Sequence, residues 1–307
     1  MQETILLKGR PIAKKIYKEI KEEIENFKTN GLNISLGIIL LGNEDESSDS
    51  ASEIYSRMII KNCKKVSVES KLFRFPLDIK EIDLINEIKK INDDNSVHGI
   101  IMMLPFPKHI NEKRILNTIN PDKDIDGVHP INAGKNVMGE DTFVPSTAQA
   151  CSDIMTYSDI NLSGKNVVII GRSNIVGKPL LNLLIQKNSN ANATVTLSHS
   201  RSNNIDQICK SADIIIAAIG VTNFVTDAYI NSNNNQILID VGMNESYDAD
   251  GKYKLTGDIN YELIKDKVKA ITPVPGGVSP LTHTALFNNL IKAVKISIEM
   301  NKSSLGL

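Results

Sequence analysis

The chain has 307 residues, which is enough for two domains with hydrophobic cores. Its 35 Lys and Arg residues nearly balance 36 Asp and Glu residues, so the net charge gives no general attraction to nucleic acid or to an anionic membrane. No apolar run is long enough to cross a bilayer, and the amino terminus lacks a signal-peptide pattern. Three scattered cysteines, Cys63, Cys151 and Cys209, have no metal-ligand spacing. We therefore predict a soluble, cytoplasmic protein without a metal site, whose cysteines are packing residues.

The first half of the chain alternates helix and strand patterns. The predicted elements are, in order, an amphipathic helix over 10–28, a buried strand over 34–42, an exposed acidic loop over 44–50, a helix from about Ala51, strands over 71–76 and 97–105, and between those strands a helix over 79–92. Ser50 and Glu53 fit a capping box at the start of the helix from Ala51. Repeated strand–helix–strand units predict a parallel sheet with right-handed crossovers.

After about residue 145 the pattern restarts. Five strand candidates follow, at 166–171, 193–199, 212–220, 236–242 and 268–274. This alternation is typical of a doubly wound nucleotide-binding domain. The last segment, 281–300, predicts a long amphipathic helix that packs on the first domain. We therefore predict one α/β domain over 1–145, completed by a terminal helix at 283–307, and a second, Rossmann-like domain over 146–282.

The clearest cofactor signal is VVIIGRSNIVGKPLLNLLI, residues 167–185. An apolar strand ends at Gly171 and an apolar helix begins near Val176, so glycines and a helix N-terminus could approach a phosphate. The spacing is not GxGxxG, and an ordinary strand–loop–helix remains an alternative. Its setting among alternating strands favours a dinucleotide site. The candidate cofactor-binding residues here are Gly171, Arg172, Ser173, Ile175 and Gly177.

A second candidate group, His199, Ser200 and Arg201, follows the next predicted strand. In this type of domain the ribose is usually read at that position. Acidic side chains would favour a free 2′-hydroxyl, whereas the cationic and hydroxyl groups of Arg172, Ser200 and Arg201 suit a 2′-phosphate. We therefore predict NADP as the cofactor, with NAD possible. The alternative is that Arg201 only faces water.

Five motifs occur in the order seen in one family. They are PDKDIDGVHPINAGK (121–135), GRSNIVGKP (171–179), DVGMN (240–244), GDIN (257–260) and TPVPGGVSPLT (272–282). With these motifs the chain resembles the methylenetetrahydrofolate dehydrogenase/cyclohydrolase family over nearly its whole length. The resemblance implies two α/β domains with a folate cleft between them, NAD(P), a tetrahydrofolate substrate and usually a homodimer.

The resemblance also implies roles for individual residues. Tyr55 matches the tyrosine that lines the folate cleft, and Asp126 matches the aspartate that holds the pterin ring. A carboxylate can accept hydrogen bonds from a pterin amino group and ring nitrogen. Pro275, Gly276 and Gly277 match the loop that borders the cleft near the nicotinamide. The alternatives are a plain Asp-Gly turn at Asp126 and a stiff connection at the Pro-Gly loop.

Two positions depart from the family pattern. The usual lysine, four residues after the tyrosine, is Ile59, and the usual glutamine before Leu-Pro is Met103. On a helix, Arg57 and Lys61 lie about 160° and about 120° from Tyr55, so neither readily replaces the lysine. Cyclohydrolysis needs proton transfers and dehydrogenation does not. We therefore predict a dehydrogenase with weak or lost cyclohydrolase activity.

Three alternatives remain open at this point. The chain could be fully bifunctional and make 10-formyltetrahydrofolate, with another group or water supplying the protons. It could be a non-catalytic relative that binds folate or nucleotide. It could also be a dehydrogenase for another amino or hydroxy acid that shares only the Rossmann half.

Overall fold

A computed structural model describes residues 3–42, 50–247 and 253–304. Apart from Ser50, the predicted acidic loop lies outside these residues. The chain divides into two compact units, which we name by their main sheets. The six-stranded unit comprises Met1–Lys15, Asn136–Glu140 and Pro145–Ala285. The three-stranded unit comprises Ile16–Lys135, Asp141–Val144 and Leu286–Leu307.

Helices and strands alternate along both units. In chain order the elements are β1 (Ile5–Leu6), α1 (Gly9–Thr29), β2 (Ser35–Leu41), α2 (Ala51–Lys65), β3 (Glu69–Phe75), α3 (Glu81–Asp93), β4 (Gly99–Met102), α4 (Glu112–Leu116), α5 (Pro130–Met138), α6 (Ser146–Thr156), β5 (Asn166–Ile170), α7 (Gly177–Leu184), β6 (Thr194–Ser198), α8 (Ile205–Lys210), β7 (Ile214–Ala217), β8 (Ile237–Asp240), β9 (Asn244–Tyr247), β10 (Tyr253–Thr256), α9 (Tyr261–Ile264), β11 (Ala270–Ile271) and α10 (Ser279–Ser304).

The three-stranded unit has a parallel sheet in the order β3-β2-β4. Its central strand β2 is buried along its whole length, as the continuous apolar run predicts. Helix α2 begins at the predicted residue, because the Ser50 hydroxyl accepts the amide of Glu53 at 3.3 Å. The buried Glu53 carboxylate also pairs with Arg74 of β3, which ties the first turn of α2 to the sheet.

The six-stranded unit has an all-parallel sheet in the order β1-β11-β8-β7-β5-β6. From β5 the chain first adds β6 on one side and then crosses to add β7 on the other. The strand order therefore reverses between β5 and β7, as in a doubly wound fold. The five strands predicted in this half are all present, and the predicted doubly wound domain is confirmed.

Several elements escaped the sequence pattern. Strand β1 is only two residues long, which is too short to show a period, and β9 and β10 form a separate antiparallel hairpin. Helix α10 is longer than predicted and belongs to both units, with Leu286 the first residue assigned to the three-stranded one. There the buried Asn289 donates from its side-chain amide to the carbonyls of Ile125 at 2.8 Å and Val144 at 3.0 Å.

All three cysteines are free thiols and are buried, which confirms that they are packing residues. Burial raises the pKa of Cys63 and of Cys209 to about 12 and that of Cys151 further. Among the residues with assigned structure, no helix is long and apolar enough to span a bilayer. The same residues contain no group of three or more His, Cys, Asp or Glu side chains placed to hold a metal ion.

Candidate active site

The turn between β5 and α7 depends on two glycines. Gly171 has φ of +134°, and a Cβ built on it would lie 2.1 Å from the carbonyl oxygen of Ala218. A Cβ on Gly177 would lie 2.0 Å from the carbonyl oxygen of Gly171. Only glycine lets these backbones approach so closely. The turn therefore has the tight form that lets a helix N-terminus approach a pyrophosphate, although its spacing is not GxGxxG.

The residues between the two glycines are exposed at the carboxyl end of β5. Arg172, Ser173 and Ile175 all face solvent in the loop, with Ile175 49% exposed. The Ser173 hydroxyl accepts the amide of Val176 at 3.1 Å and so shapes the entry to α7. The predicted loop residues thus remain accessible to a ligand.

The second predicted group lies beside the first, because β5 and β6 are neighbouring parallel strands with Ile170 in register with Ser198. His199 accepts the amide of Arg201 on Nδ1 at 3.1 Å, and the backbone amide of His199 donates to the Ser202 hydroxyl at 3.0 Å. These bonds close a small turn. Its two exposed residues, Ser200 and Arg201, are the hydroxyl and the guanidinium predicted to favour a 2′-phosphate.

Two buried aspartates lie at the same carboxyl ends of the strands. Both belong to the motifs given above, but the sequence did not predict them as site residues. Asp240 ends β8 and accepts the amides of Gly242 at 3.0 Å, Asp258 at 2.9 Å and Ile259 at 2.9 Å. Asp258 in turn accepts the amides of Ile219 at 2.7 Å and Gly220 at 2.9 Å. Their spacing in sequence gives no sign of this network.

Asp240 gives the six-stranded unit a predicted pH dependence. Burial raises the pKa of Asp240 from 3.8 to about 7, against the lowering effect of its backbone amide donors. Between about pH 4 and about pH 7 the folded chain therefore holds a proton that the unfolded chain has released, so the free energy of unfolding falls as pH rises through that window. Asp240→Asn cannot titrate and should lack this component.

Urea unfolding of both proteins at about pH 5 and about pH 8 measures the difference. The variant is expected to be less stable at both values, because an amide cannot accept all three bonds. The relevant quantity is the change between the two pH values. An equal change in both proteins would contradict the assignment.

The Pro-Gly loop follows β11 in the same unit. Gly276 has φ of +109°, and its carbonyl accepts the amide of Gly9 at 2.9 Å. Gly277 is buried, and a Cβ there would lie 2.7 Å from the carbonyl oxygen of Pro273. Pro275 is exposed at the tip of the loop. The glycines are thus required by backbone packing, and Pro275 is the residue left accessible.

Tyr55 and Asp126 lie together in the three-stranded unit. Burial and, second, the negative charge of Asp126 raise the pKa of the Tyr55 phenol far above its ordinary value. Both side chains are half-buried. A phenol is already neutral near pH 7, and the raised pKa keeps Tyr55 neutral at higher pH as well, so its hydroxyl group can donate a hydrogen bond.

The turn that carries Asp126 is held from several sides. Asp124 forms a parallel bridge with Ile100 of β4 and is fully buried. Its Oδ2 accepts the amide of His129 at 2.8 Å, and burial raises the pKa of this carboxyl. Gly127 follows with φ of +66°, and a Cβ there would lie 2.7 Å from the Phe143 carbonyl oxygen. The backbone on both sides of Asp126 is therefore fixed by packing and hydrogen bonds.

The two residues predicted to depart from the family pattern are apolar and buried. Ile59 lies on α2 one turn after Tyr55 and has no exposed surface. Met103, directly after β4, is 2% exposed, and its amide donates to the Ile39 carbonyl at 2.9 Å. Lys61 is exposed, in agreement with the helical angles that place it away from Tyr55.

These features define a class of protein. A doubly wound sheet with a glycine-lined turn, joined in one chain to a second α/β unit carrying a tyrosine and a carboxylate, is typical of a two-domain dinucleotide-dependent enzyme. The chain belongs to the tetrahydrofolate dehydrogenase/cyclohydrolase family: residues 7–126 match its catalytic domain, and residues 145–298 match its NAD(P)-binding domain. The predicted family and the two-domain α/β fold are thereby confirmed.

Relatives match almost the whole chain. The bifunctional protein FolD of Chlamydia felis is 42% identical over 287 residues, which are 93% of this chain and 96% of the relative. FolD of Acetivibrio thermocellus is 39% identical over 298 residues, which are 97% and 99% of the two chains.

Solved structures have the same fold. The bifunctional FolD, a methylenetetrahydrofolate dehydrogenase/cyclohydrolase from Campylobacter jejuni, has a TM-score of 0.87 at 35% identity, covering 95% of this chain and 99% of its own. The methylenetetrahydrofolate dehydrogenase-cyclohydrolase of Trypanosoma brucei, in complex with NADP and an inhibitor, has a TM-score of 0.85 at 31% identity, covering 97% and 99%.

Proposed function

We propose that the chain oxidises 5,10-methylenetetrahydrofolate to 5,10-methenyltetrahydrofolate with NADP, and that its cyclohydrolase activity is weak or absent. The family assignment supports the dehydrogenase reaction. The observation that carries the second half is the pair of buried apolar side chains, Ile59 and Met103, at the positions of the usual lysine and glutamine.

The dinucleotide turn fits NADP. Gly171 and Gly177 leave room for a backbone approach that any Cβ would fill, and exposed Arg172, Ser200 and Arg201 offer donors to a 2′-phosphate. The Trypanosoma brucei relative binds NADP in its solved structure, which supports the same choice here. NADP, when bound, supplies the nicotinamide ring that accepts a hydride.

The three-stranded unit is proposed to hold the pterin. The Asp126 carboxylate accepts hydrogen bonds from the pterin amino group and ring nitrogen, a pattern that a carboxylate matches with two oxygens. The phenol of Tyr55 lies beside it and stays protonated because its pKa is raised. Tyr55 therefore packs against the substrate and donates a hydrogen bond, while Asp126 sets the orientation.

The two reactions place different demands on these residues. Loss of a hydride from the methylene carbon leaves a cation that the folate nitrogens stabilise, so the step needs alignment more than a protein base. Cyclohydrolysis adds water to that cation and opens a ring, and a positioned acid or base contributes roughly 10²–10⁴-fold to such a proton transfer. The side chains of Ile59 and Met103 cannot donate or accept the proton, so we expect the rate of hydrolysis to be lowered more than the rate of dehydrogenation.

A steady-state assay that follows both products tests the proposal. With methylenetetrahydrofolate and NADP we expect NADPH and methenyltetrahydrofolate to form in equal amounts, and the methenyl product to decay at its rate without enzyme. NAD in a parallel reaction should give a lower kcat/KM. Rapid enzyme-dependent loss of methenyltetrahydrofolate supplied directly would instead support the fully bifunctional alternative.

The same assay and a folate-binding titration separate the remaining alternatives. A non-catalytic relative would bind folate or nucleotide and form no NADPH. A dehydrogenase for another amino or hydroxy acid would fail a folate-binding titration that Asp126 predicts to succeed. The family resemblance also supports a homodimer and a cytoplasmic location, both of which we propose for this chain.

A further inference from the structure

The turn at 218–220 borders the crevice in which a doubly wound sheet binds its ligand. Such ligands bind outside the carboxyl ends of the strands, where the strand order reverses. Here that point lies between β5 and β7. The turn after β5 is the dinucleotide turn, and the turn after β7 is 218–220. The carbonyl oxygen of Ala218 lies against Gly171, so the two turns touch each other.

Asp258 holds this second turn by its backbone. One carboxylate oxygen accepts both amides, from Ile219 at 2.7 Å and from Gly220 at 2.9 Å. The other oxygen accepts the side-chain amide of Asn244 at 2.9 Å. Asp258 has no exposed surface, and hydrogen bonds from amides to a buried carboxylate are stronger than bonds between neutral groups. The side chain of Asp258 therefore holds the backbone of Ile219 and Gly220.

Asp240 fixes the backbone of Asp258 by a hydrogen bond. Its Oδ1 accepts the amide of Asp258 at 2.9 Å, and its own amide donates to the Thr272 hydroxyl at 2.7 Å. Space for the two carboxylates depends on glycine: a Cβ on Gly257 would lie 1.9 Å from Asp240 Oδ2, and one on Gly242 would lie 2.3 Å from Asp258 Oδ1. The quoted DVGMN and GDIN motifs thus form one packed cluster.

Gly220 is the part of the turn that faces outward. It is exposed and has φ of +72°, and a Cβ built on it would meet no atom within 4 Å. The amide of this residue is bonded inward to Asp258, so its other face is open to a ligand. The turn has a fixed inner side and an accessible outer side.

We propose that Asp258 is a positioning residue for the cofactor, because it fixes the turn at 218–220 as the second wall of the dinucleotide crevice. The proposal rests on the proposed function only in taking NADP as the ligand of that crevice. Asp258 itself has no exposed surface and is therefore not placed to contact a ligand directly. It acts through the backbone of Ile219 and Gly220.

Direct titration of the full chain with NADPH tests the proposal without any turnover. Loss of one hydrogen bond to a carboxylate corresponds to roughly a ten- to hundredfold change in an equilibrium constant. We therefore expect Asp258→Ala to raise the Kd for NADPH by at least about tenfold and to leave the Kd for tetrahydrofolate unchanged. Asp258→Asn keeps one carbonyl acceptor for the two amides and should give an intermediate Kd.

Asp213 offers a matched control in the same unit. Its Oδ2 also accepts a backbone amide, that of Asn166 at 2.8 Å, but at the amino end of β5. Asp213→Ala and Asp213→Asn remove a bond of the same kind far from the carboxyl ends of the strands. Both are expected to keep the NADPH affinity of the unchanged protein.

A merely structural role of Asp258 would lower Tm and leave the NADPH Kd of the folded variant unchanged, which would overturn the proposal. If Asp258→Ala does not fold, Asp258→Asn decides, and a Kd equal to that of Asp213→Asn overturns it. Failure of the proposed function looks different. The unchanged protein would then bind NADPH in the titration but would not form it from methylenetetrahydrofolate.

Discussion

Replacing Ile59 by lysine and Met103 by glutamine together is expected to create cyclohydrolase activity in this chain, for which we propose little or none. The gain should be on the order of 10²-fold or more over the unchanged protein, the size of a typical contribution from a positioned acid or base. Enzyme-dependent disappearance of methenyltetrahydrofolate measures it. Dehydrogenase activity, followed as NADPH formation, should change much less.

The helix geometry is the reason for this expectation. Ile59 lies four residues after Tyr55 on α2, and side chains at that spacing are neighbours on one helix face. Ile59 is fully buried, and burial lowers the pKa of a lysine toward the range in which it can both give and take a proton. In Ile59→Lys the amine would thus lie beside the tyrosine with a suitable acidity.

Apolar substitutions at the same two positions serve as controls. Ile59→Met and Met103→Leu change shape without adding a titratable or amide group, and both should leave cyclohydrolase activity at its low level. Retained NADPH formation shows that each variant is folded. A folded Ile59→Lys/Met103→Gln variant without any gain in hydrolysis would contradict the role assigned to these positions.

Gly177→Ala is expected to abolish NADP binding while tetrahydrofolate binding persists. The added methyl group would lie 2.0 Å from the backbone carbonyl oxygen of Gly171, a distance at which the backbone itself must move. Movement there opens the turn that brings the start of α7 to the pyrophosphate. We expect the Kd for NADPH to rise by at least about a hundredfold, which corresponds to roughly 2.7 kcal/mol.

Gly134→Ala is the matched control, because Gly134 also lies in a helix but a Cβ on it would meet no atom within 4 Å. This variant should bind NADPH normally and be as stable as the unchanged protein or slightly more so, since alanine favours helices. Titration with NADPH and with tetrahydrofolate separates the two outcomes. Normal NADPH affinity in a folded Gly177→Ala variant would exclude this turn from the cofactor site.

The sequence pattern predicted the main strands well and the contacts of the site residues less well. Continuous apolar runs such as those of β2 and β5 predict buried parallel strands, because both faces of such a strand are covered. A two-residue strand such as β1 has no period to detect. The hairpin of β9 and β10 lies outside the two parallel sheets and escaped for lack of an apolar pattern.

Contacts between residues distant in sequence could not be derived from pattern alone. Tyr55 and Asp126 were paired only through the family resemblance, because nothing local in either segment indicates the other. The sequence shows Asp240 and Asp258 only as members of two motifs and indicates no contact between them. Their role depends on packing between loops that are distant in sequence and meet at the carboxyl ends of the strands. The position of Ile59 relative to Tyr55 followed from helix geometry, whereas its complete burial depends on tertiary packing.

The amide of Asn289 has a consequence for how the protein is made. Its two acceptors are the carbonyls of Ile125, 164 positions earlier, and Val144, 145 positions earlier. These carbonyls flank the segment that carries Asp126, so on the ribosome that segment emerges long before its partner. These two bonds can therefore form only after Pro145–Ala285, the largest segment of the six-stranded unit, has been translated.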